Sequence, residues 1–310
     1  MVSVGSVRVS TALLCMLALG AGGCTGAAHE APASGAEPAE PSKASPSPDT
    51  AHRRLPVEDY LMSPTENDRV ERARSTLISA CMKRFTLDFT PYTPDYTKMA
   101  GQVSNRYGPT DTKVAATHGY HPEREQIAEG EAPGQKALSA DMRRVLGSSI
   151  APAGATPPES PGSYRGIRIP AGGCAGEADR TLTSGGGIIQ DAEAAIAINF
   201  SSFEKSAADP RVKKVFAAWS TCMREKNFSY ATPLEAINDP RWKTDGPSAP
   251  EIAAAVAEVE CKQRYGVVDV WFSVESTYQR ADITAEAKRM AQVRKGIDVA
   301  FENAAAVVGE

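Results

Sequence analysis

Apolar residues recur along this chain at helical spacing far more often than in the alternation of strands. The sequence Ser63-Pro64-Thr65-Glu66 offers a cap, a proline suited to the first helical position and a glutamate able to close a capping box. Beyond it Val70, Ala73, Leu77, Cys81 and Phe85 share one face at a 3.6-residue period. A helix over about 190–207 is followed by Asp209-Pro210, which opens another; Val212, Val215, Phe216, Trp219, Cys222 and Met223 lie together on it. Thr232-Pro233-Leu234-Glu235 and Ser248-Ala249-Pro250-Glu251 are two more capped starts. After the second, Cys261 shares a small-residue face with Ala254 and Ala257, opposite Ile252, Val256 and Val259. The chain closes with a long amphipathic stretch. Val267, Trp271, Val274, Tyr278, Ala281 and Ala285 step by four and three, and Met290, Val293, Ile297, Ala300, Ala304 and Val307 resume after a slip of register. A helix-on-helix seam with a kink or break near Ala285 is predicted.

Between Pro91 and about Tyr164 the pattern weakens into short helices around 113–117 and 139–146, and 150–162, rich in Ala, Pro and Gly, reads as a surface loop. Cys174, within Ala171-Gly172-Gly173-Cys174-Ala175-Gly176-Glu177-Ala178, begins a short helix that Ser184-Gly185-Gly186-Gly187 ends. The expected fold class is therefore mainly α: a helical domain with a long C-terminal helix.

Residues 1–23 have the pattern of an export signal: Arg8 is basic, 11–19 is apolar, and Ala21-Gly22-Gly23 is small. The apolar run is too short to span a bilayer. Cys24 directly after the small residues resembles the lipobox of bacterial lipoproteins, with Ala21 where that family usually has leucine; Cys15 sits inside the apolar run behind Leu14. The resemblance implies cleavage before Cys24, a diacylglycerol on its sulfur, usually a further amide-linked acyl chain such as palmitate, and an anchor on the extracytoplasmic face of the cell membrane. Two or more chains anchor stably where one is marginal. Residues 25–55 carry Ala, Pro, Ser, Gly and Glu without an aromatic, a composition that predicts a disordered tether. One folded domain is left at 56–310, in halves of about 56–187 and 188–310.

An exported chain with four further cysteines, Cys81, Cys174, Cys222 and Cys261, suggests two disulfides. Cys81-Met82-Lys83-Arg84, followed by Phe85, Phe89 and Pro91, parallels Cys222-Met223-Arg224-Glu225, followed by Phe228, Tyr230 and Pro233. Read as a degenerate repeat, the parallel favours Cys81–Cys174 and Cys222–Cys261 among three allowed connectivities. The export signal, the tether, Trp219-Ser220-Thr221-Cys222-Met223, the Gly172–Ala178 segment and the terminal helix together resemble uncharacterised lipoproteins of high-GC actinobacteria. That family brings no established activity to carry over.

Charge and candidate chemistry narrow the function by exclusion. A formal charge of −4, in a chain that loses Arg8 with its signal, gives no electrostatic case for nucleic acid, and no Lys/Arg cluster interleaved with aromatics stands in the linear sequence. His29 and His52 fall in the tether; His118 and His121, around Gly119-Tyr120, read as a solvated loop, so no metal is expected. There is no Gly-x-Ser-x-Gly elbow, and the glycine run at 185–187 follows a helix and lacks the lysine of a phosphate loop. No catalytic residue and no cofactor is expected. A carboxylate pair would be made by the fold, so Glu177, Glu258 and Glu260 stand as candidates beside the solvated or capping roles that are favoured. Trp219 and Trp271 lie on core faces. Trp242, in a proline-flanked loop, is expected to be exposed and is the candidate binding residue. The resulting expectation is a membrane-anchored, non-enzymatic envelope lipoprotein that binds a protein partner or a cell-wall component. Its alternatives are a carboxylate-dependent cell-wall hydrolase and the solute-binding lipoprotein of a transporter, which usually has a two-lobed α/β fold.

Overall fold

The computed structural model describes residues 53–96, 106–121, 138–147 and 160–310. The export signal, Cys24, the tether up to 52 and most of the loop expected at 150–162 lie outside them. The described residues form ten α-helices: α1 (Pro64–Arg84), α2 (Thr112–His118), α3 (Ala140–Leu146), α4 (Gly173–Leu182), α5 (Glu193–Ala208), α6 (Pro210–Glu225), α7 (Pro233–Ile237), α8 (Ala249–Arg264), α9 (Val267–Ala285) and α10 (Ala287–Val308). Between α3 and α4 stands an antiparallel hairpin of β1 (Ser163–Tyr164) and β2 (Ile167–Arg168), with Ser163 opposite Arg168 and Tyr164 opposite Ile167.

The helix starts obey their local chemistry. Ser63 Oγ accepts from Glu66 N at 3.2 Å while Glu66 accepts from Ser63 N at 2.7 Å, so α1 begins in a closed capping box. Ser248 and Glu251 close the same box on α8. Asp209 and Thr232 cap α6 and α7. The slip of register near Ala285 is a real break: α9 stops there, Glu286 leaves helical geometry at φ −106°, and α10 restarts at Ala287.

The largest core gathers on α9. Trp271 is fully buried, with the rings of Tyr107, Phe203 and Phe216 centred 5.0, 5.1 and 4.9 Å away and its Nε1 donating to Ser206 Oγ. Each such ring pair contributes about 0.5–1.5 kcal/mol beyond its buried area. The first and last long helices are neighbours: Val70 and Ala73 of α1 pack with Val293, Ile297 and Ala304 of α10, and Met62 and Leu182 complete that cluster. Gly296, mid-helix, admits Ile188, whose N donates to Gly296 O at 2.8 Å. A Cβ on Gly296 would stand 2.6 Å from the Ile188 side chain. That close approach accounts for a glycine that costs about 1 kcal/mol in a helix interior. The cores do not follow a boundary at 187–188: Leu55, Val57, Leu61 and Tyr107 belong to the α9 cluster.

The chain is already packed at 53–55, the last residues of the segment expected to be a tether. Leu55 and Val57 are buried, Arg53 pairs with Asp269 and stacks on Phe272, and Val57 N donates to Gln279 Oε1 at 3.0 Å. Anchoring partners on α9, far away in sequence, draw this end of the chain in.

Both disulfides form as the Cys-Met parallel favours. Cys81–Cys174 and Cys222–Cys261 have Cα separations of 5.5 and 5.8 Å, and all four residues are buried. The two Cys-Met helices also end alike. Met82 O accepts from Phe85 N and Leu87 N around Thr86 at φ 56°, and Met223 O accepts from Lys226 N and Phe228 N around Asn227 at φ 67°. The structural partners are thus Leu87 with Phe228 and Phe89 with Tyr230, which moves the Phe85 match of the sequence. Beyond these ends the likeness stops: Cys174 is the second residue of α4, whereas Cys261 lies in the last turn of α8.

The bridges close chain lengths of 93 and 39 residues. On loop-closure entropy, replacing either cysteine pair by alanine costs about 4–5 kcal/mol, with the longer loop dearer by about 0.8 kcal/mol. Urea denaturation of the two double variants checks both the size and the order.

Candidate functional site

Trp242, the candidate binding residue, is packed rather than presented. Asp239 starts a short 3-10 turn, Pro240–Trp242, that folds the indole under α7, where Nε1 donates to Ala236 O at 2.8 Å. The ring is 7% exposed, stacks on Tyr120 at 5.9 Å and carries the Arg241 guanidinium 4.9 Å from its centroid. A proline-flanked loop has no local pattern announcing that its aromatic tucks in, which is why the expectation of exposure fails. Asp239 organises the turn: it accepts from Arg241 and from the Tyr230 hydroxyl at 2.8 Å. The Arg241 guanidinium holds the Asp239 carboxyl well below the usual carboxylate range. Burial, then Asp239, pushes the Tyr230 hydroxyl up to about 12.

Residues 106–121 are strapped to α5, α8 and α9 by polar side chains inside the protein. Glu275 of α9, fully buried, accepts from Tyr107 Oη at 2.7 Å, Arg106 Nε at 2.8 Å and Ser202 Oγ at 3.2 Å. Lys262 of α8 donates to Tyr107 O and Pro109 O and forms an ion pair with Glu258 one turn earlier. At the other end of the strap Glu251 accepts from Tyr120 N at 2.9 Å and meets His121 Nδ1 at 2.7 Å, while His121 Nε2 lies 2.9 Å from Thr244 O. The loop expected to hold two solvated imidazoles therefore uses His121 as a bridge. Its partners are brought in from positions more than a hundred residues later, beyond the range of any local pattern.

The three candidate carboxylates separate. Glu258, expected in a solvated or capping role, is fully buried because α8 is covered on two faces: Cys261 and Ala257 face the main core, and Ala255 and Val259 face Ala115 of α2. Burial pushes the Glu258 carboxyl up and the Lys262 ammonium down, each opposed by the other's charge. Compensation at Glu258 comes first from the Lys262 charge and then from the Tyr120 hydroxyl beside it. Glu260 is exposed and pairs with Lys226. Glu177 pairs with Arg84 at the rim of an open depression of about 420 Å³, lined also by Phe85, Ser160, Ile167–Ala171 and no second carboxylate among the described residues. The acids nominated by sequence are thus dispersed among a core ion pair and two surface pairs.

Around that depression the fold assembles what the linear sequence lacks. α3 is brought against α4 where Gly147 and Gly173 cross; a Cβ on Gly147 would stand 2.0 Å from Gly172 O. This crossing sets Arg144 beside the hairpin, with Nη2 donating to Ser163 O at 3.1 Å and the guanidinium 6.0 Å from the Tyr164 centroid. Arg165 approaches the same ring to 5.3 Å and donates to Thr86 Oγ1 at 2.8 Å. Arg84 and Arg168 line the depression. Segments far apart in sequence thus make one surface of arginines about an aromatic.

Among the described residues no group of three or more His, Cys, Asp or Glu side chains is placed to hold a metal ion, and no helix is long and apolar enough to cross a membrane.

Two outcomes follow from these polar contacts. Lys262→Met strands Glu258 and should cost about 3–5 kcal/mol, while Glu258→Leu/Lys262→Met, which removes both charges, should cost less than the single change. A double-mutant cycle by chemical denaturation decides, and additive losses would contradict the pairing. Asp239, held below its unfolded value, contributes stability that is complete above the ordinary carboxylate range and lost as pH falls through the lowered folded value. Asp239→Asn should therefore flatten the fall in stability below about pH 4, measured as thermal midpoints across acid pH.

Compared with protein-family profiles, with curated proteins and with solved structures, the chain finds no match.

Proposed function

We propose that this chain is a lipid-anchored, non-enzymatic binding module on the extracytoplasmic face of a cell membrane, engaging a partner within the envelope. The observation that carries the reading is Cys24 directly behind Ala21-Gly22-Gly23 at the end of an export-type signal. Two buried disulfides support it, since such bridges persist in oxidising compartments and are rare where thiols are kept reduced. So does the dispersal of the candidate acids: Glu258 is sealed in the core, and the depression beside Glu177 has a single carboxylate in its lining among the described residues. A hydrolase would need two facing a shared opening. The two-residue strands of the hairpin also differ from the sheets of a two-lobed transporter receptor.

Cell fractionation with Cys24→Ser tests the anchor. The native chain should partition with membranes and incorporate labelled palmitate, and the variant should lose the label and move to the soluble extracytoplasmic fraction. With membranes washed at about 0.5 M salt to release protein held only by charge, a variant that stays in the membrane fraction, or a native chain without label, would refute lipid anchoring.

A further inference from the structure

The surface around the hairpin gathers basic side chains from several segments. Lys83, Arg84, Arg143, Arg144, Arg165 and Arg168 are all exposed there, against the acids Asp88, Asp141 and Glu177, although the whole chain is acidic. Three separate segments supply them. The C-terminal end of α1 gives the first two, α3 the next two and the hairpin the last two. The Cys81–Cys174 bridge and the Gly147–Gly173 crossing hold these segments together. Ile167, 44% exposed, stands between Arg165 and Arg168 and opposite Tyr164, so an apolar side chain lies among the guanidinium groups.

The hairpin turn carries a second sign of function. Its two central residues, Arg165 and Gly166, have φ of 49° and 76°, as a type I′ turn requires. Asparagine or glycine satisfies the first of these positions with little strain, and an arginine does not. Arg165 is nevertheless kept there, bonded to Thr86, which is itself left-handed at φ 56°. Two of the three non-glycine residues with positive φ among the described residues therefore touch each other at this surface. Strain at an exposed turn, on a charged side chain, points to a use for that charge beyond its contacts with Thr86 and Tyr164.

We propose that the hairpin end docks on an anionic phospholipid surface, with Arg84, Arg144, Arg165 and Arg168 meeting headgroup phosphates and Ile167 entering the interfacial layer. Charge complementarity selects an anionic partner, and the exposed isoleucine among the arginines selects a bilayer over a soluble polyanion, which offers nothing apolar to meet it. The docking takes its physiological setting from the lipid-anchored reading and would fix which face of the domain looks toward the membrane, leaving the opposite end to partners. The contacts themselves do not use the anchor.

The test uses the mature chain with Cys24→Ser, which has no acyl chain, and vesicles of phosphatidylcholine with or without about 30% phosphatidylglycerol. Sedimentation should show binding to the anionic vesicles alone, weakening as salt is raised to about 0.5 M. Arg165→Asn should keep or raise Tm, because the turn is relieved, yet bind about fivefold more weakly; Arg168→Gln, which leaves the turn untouched, should weaken binding by a similar factor. Combining them with Arg144→Gln should reduce binding about a hundredfold, while Lys213→Gln/Lys214→Gln on α6 should change nothing. Equal binding to neutral vesicles, unaltered binding by the triple variant, or binding to inorganic polyphosphate without binding to anionic vesicles would overturn the proposal. Because the assay omits acylation, it separates this surface from the anchor: a chain found unacylated in cells refutes the anchor and leaves the vesicle result standing.

Discussion

The bridge between the last turn of α1 and the first turn of α4 is the constraint on which most of the architecture rests. α1 packs along α10 and α4, α3 crosses α4 at a pair of glycines, and the hairpin hangs between them. Cys81–Cys174 fixes where that group of elements meets, and it does so across 93 residues of chain, part of which folds into short elements that pack on the long helices. Cys222–Cys261 performs the corresponding task for α6 and α8 beneath the Trp271 core. Short helices joined by glycine-rich loops bury too little surface individually to hold position; closing the loops lowers the entropy of the unfolded chain and makes the arrangement worthwhile.

A second feature of the interior is its charge. Glu251, Glu258, Lys262 and Glu275 are buried, and each is committed to the strap at 106–121 or to its neighbour on α8. Burying such groups costs more than burying aliphatic side chains of the same size, but a strap attached by directional contacts has one register, whereas one attached by grease has many. Tyr107 joins the two modes, its ring against Trp271 and its hydroxyl on Glu275.

What could be read from the sequence was what short-range rules determine. Ser63 with Glu66 and Ser248 with Glu251 announce helix starts because the cap and its partner are three residues apart, and the slip after Ala285 is visible because a helical stripe has a fixed period. The disulfide pairing was legible through the Cys-Met parallel, since two helix ends of the same geometry were written in similar residues. The burial of Leu55, the tucking of Trp242 and the burial of the Glu258–Lys262 pair were not legible. Each depends on a surface contributed from elsewhere in the chain: α9, Tyr120 and α2 respectively. The arginine surface was hidden for the same reason, its members being drawn from positions 84 to 168 and brought together only by folding.

The architecture, the proposed compartment and the proposed docking surface therefore meet at one point, the closed Cys81–Cys174 bridge. It needs an oxidising environment to form, and it holds α1, α4 and the hairpin in the arrangement that gathers the arginines. Non-reducing peptide mapping of the native protein recovered from its own cells tests this directly. Linked peptides should be found containing Cys81 with Cys174 and Cys222 with Cys261, with no free thiol at any of the four. Free thiols at these positions, or crossed pairs, would contradict the fold, and free thiols would also contradict the extracytoplasmic setting proposed for it.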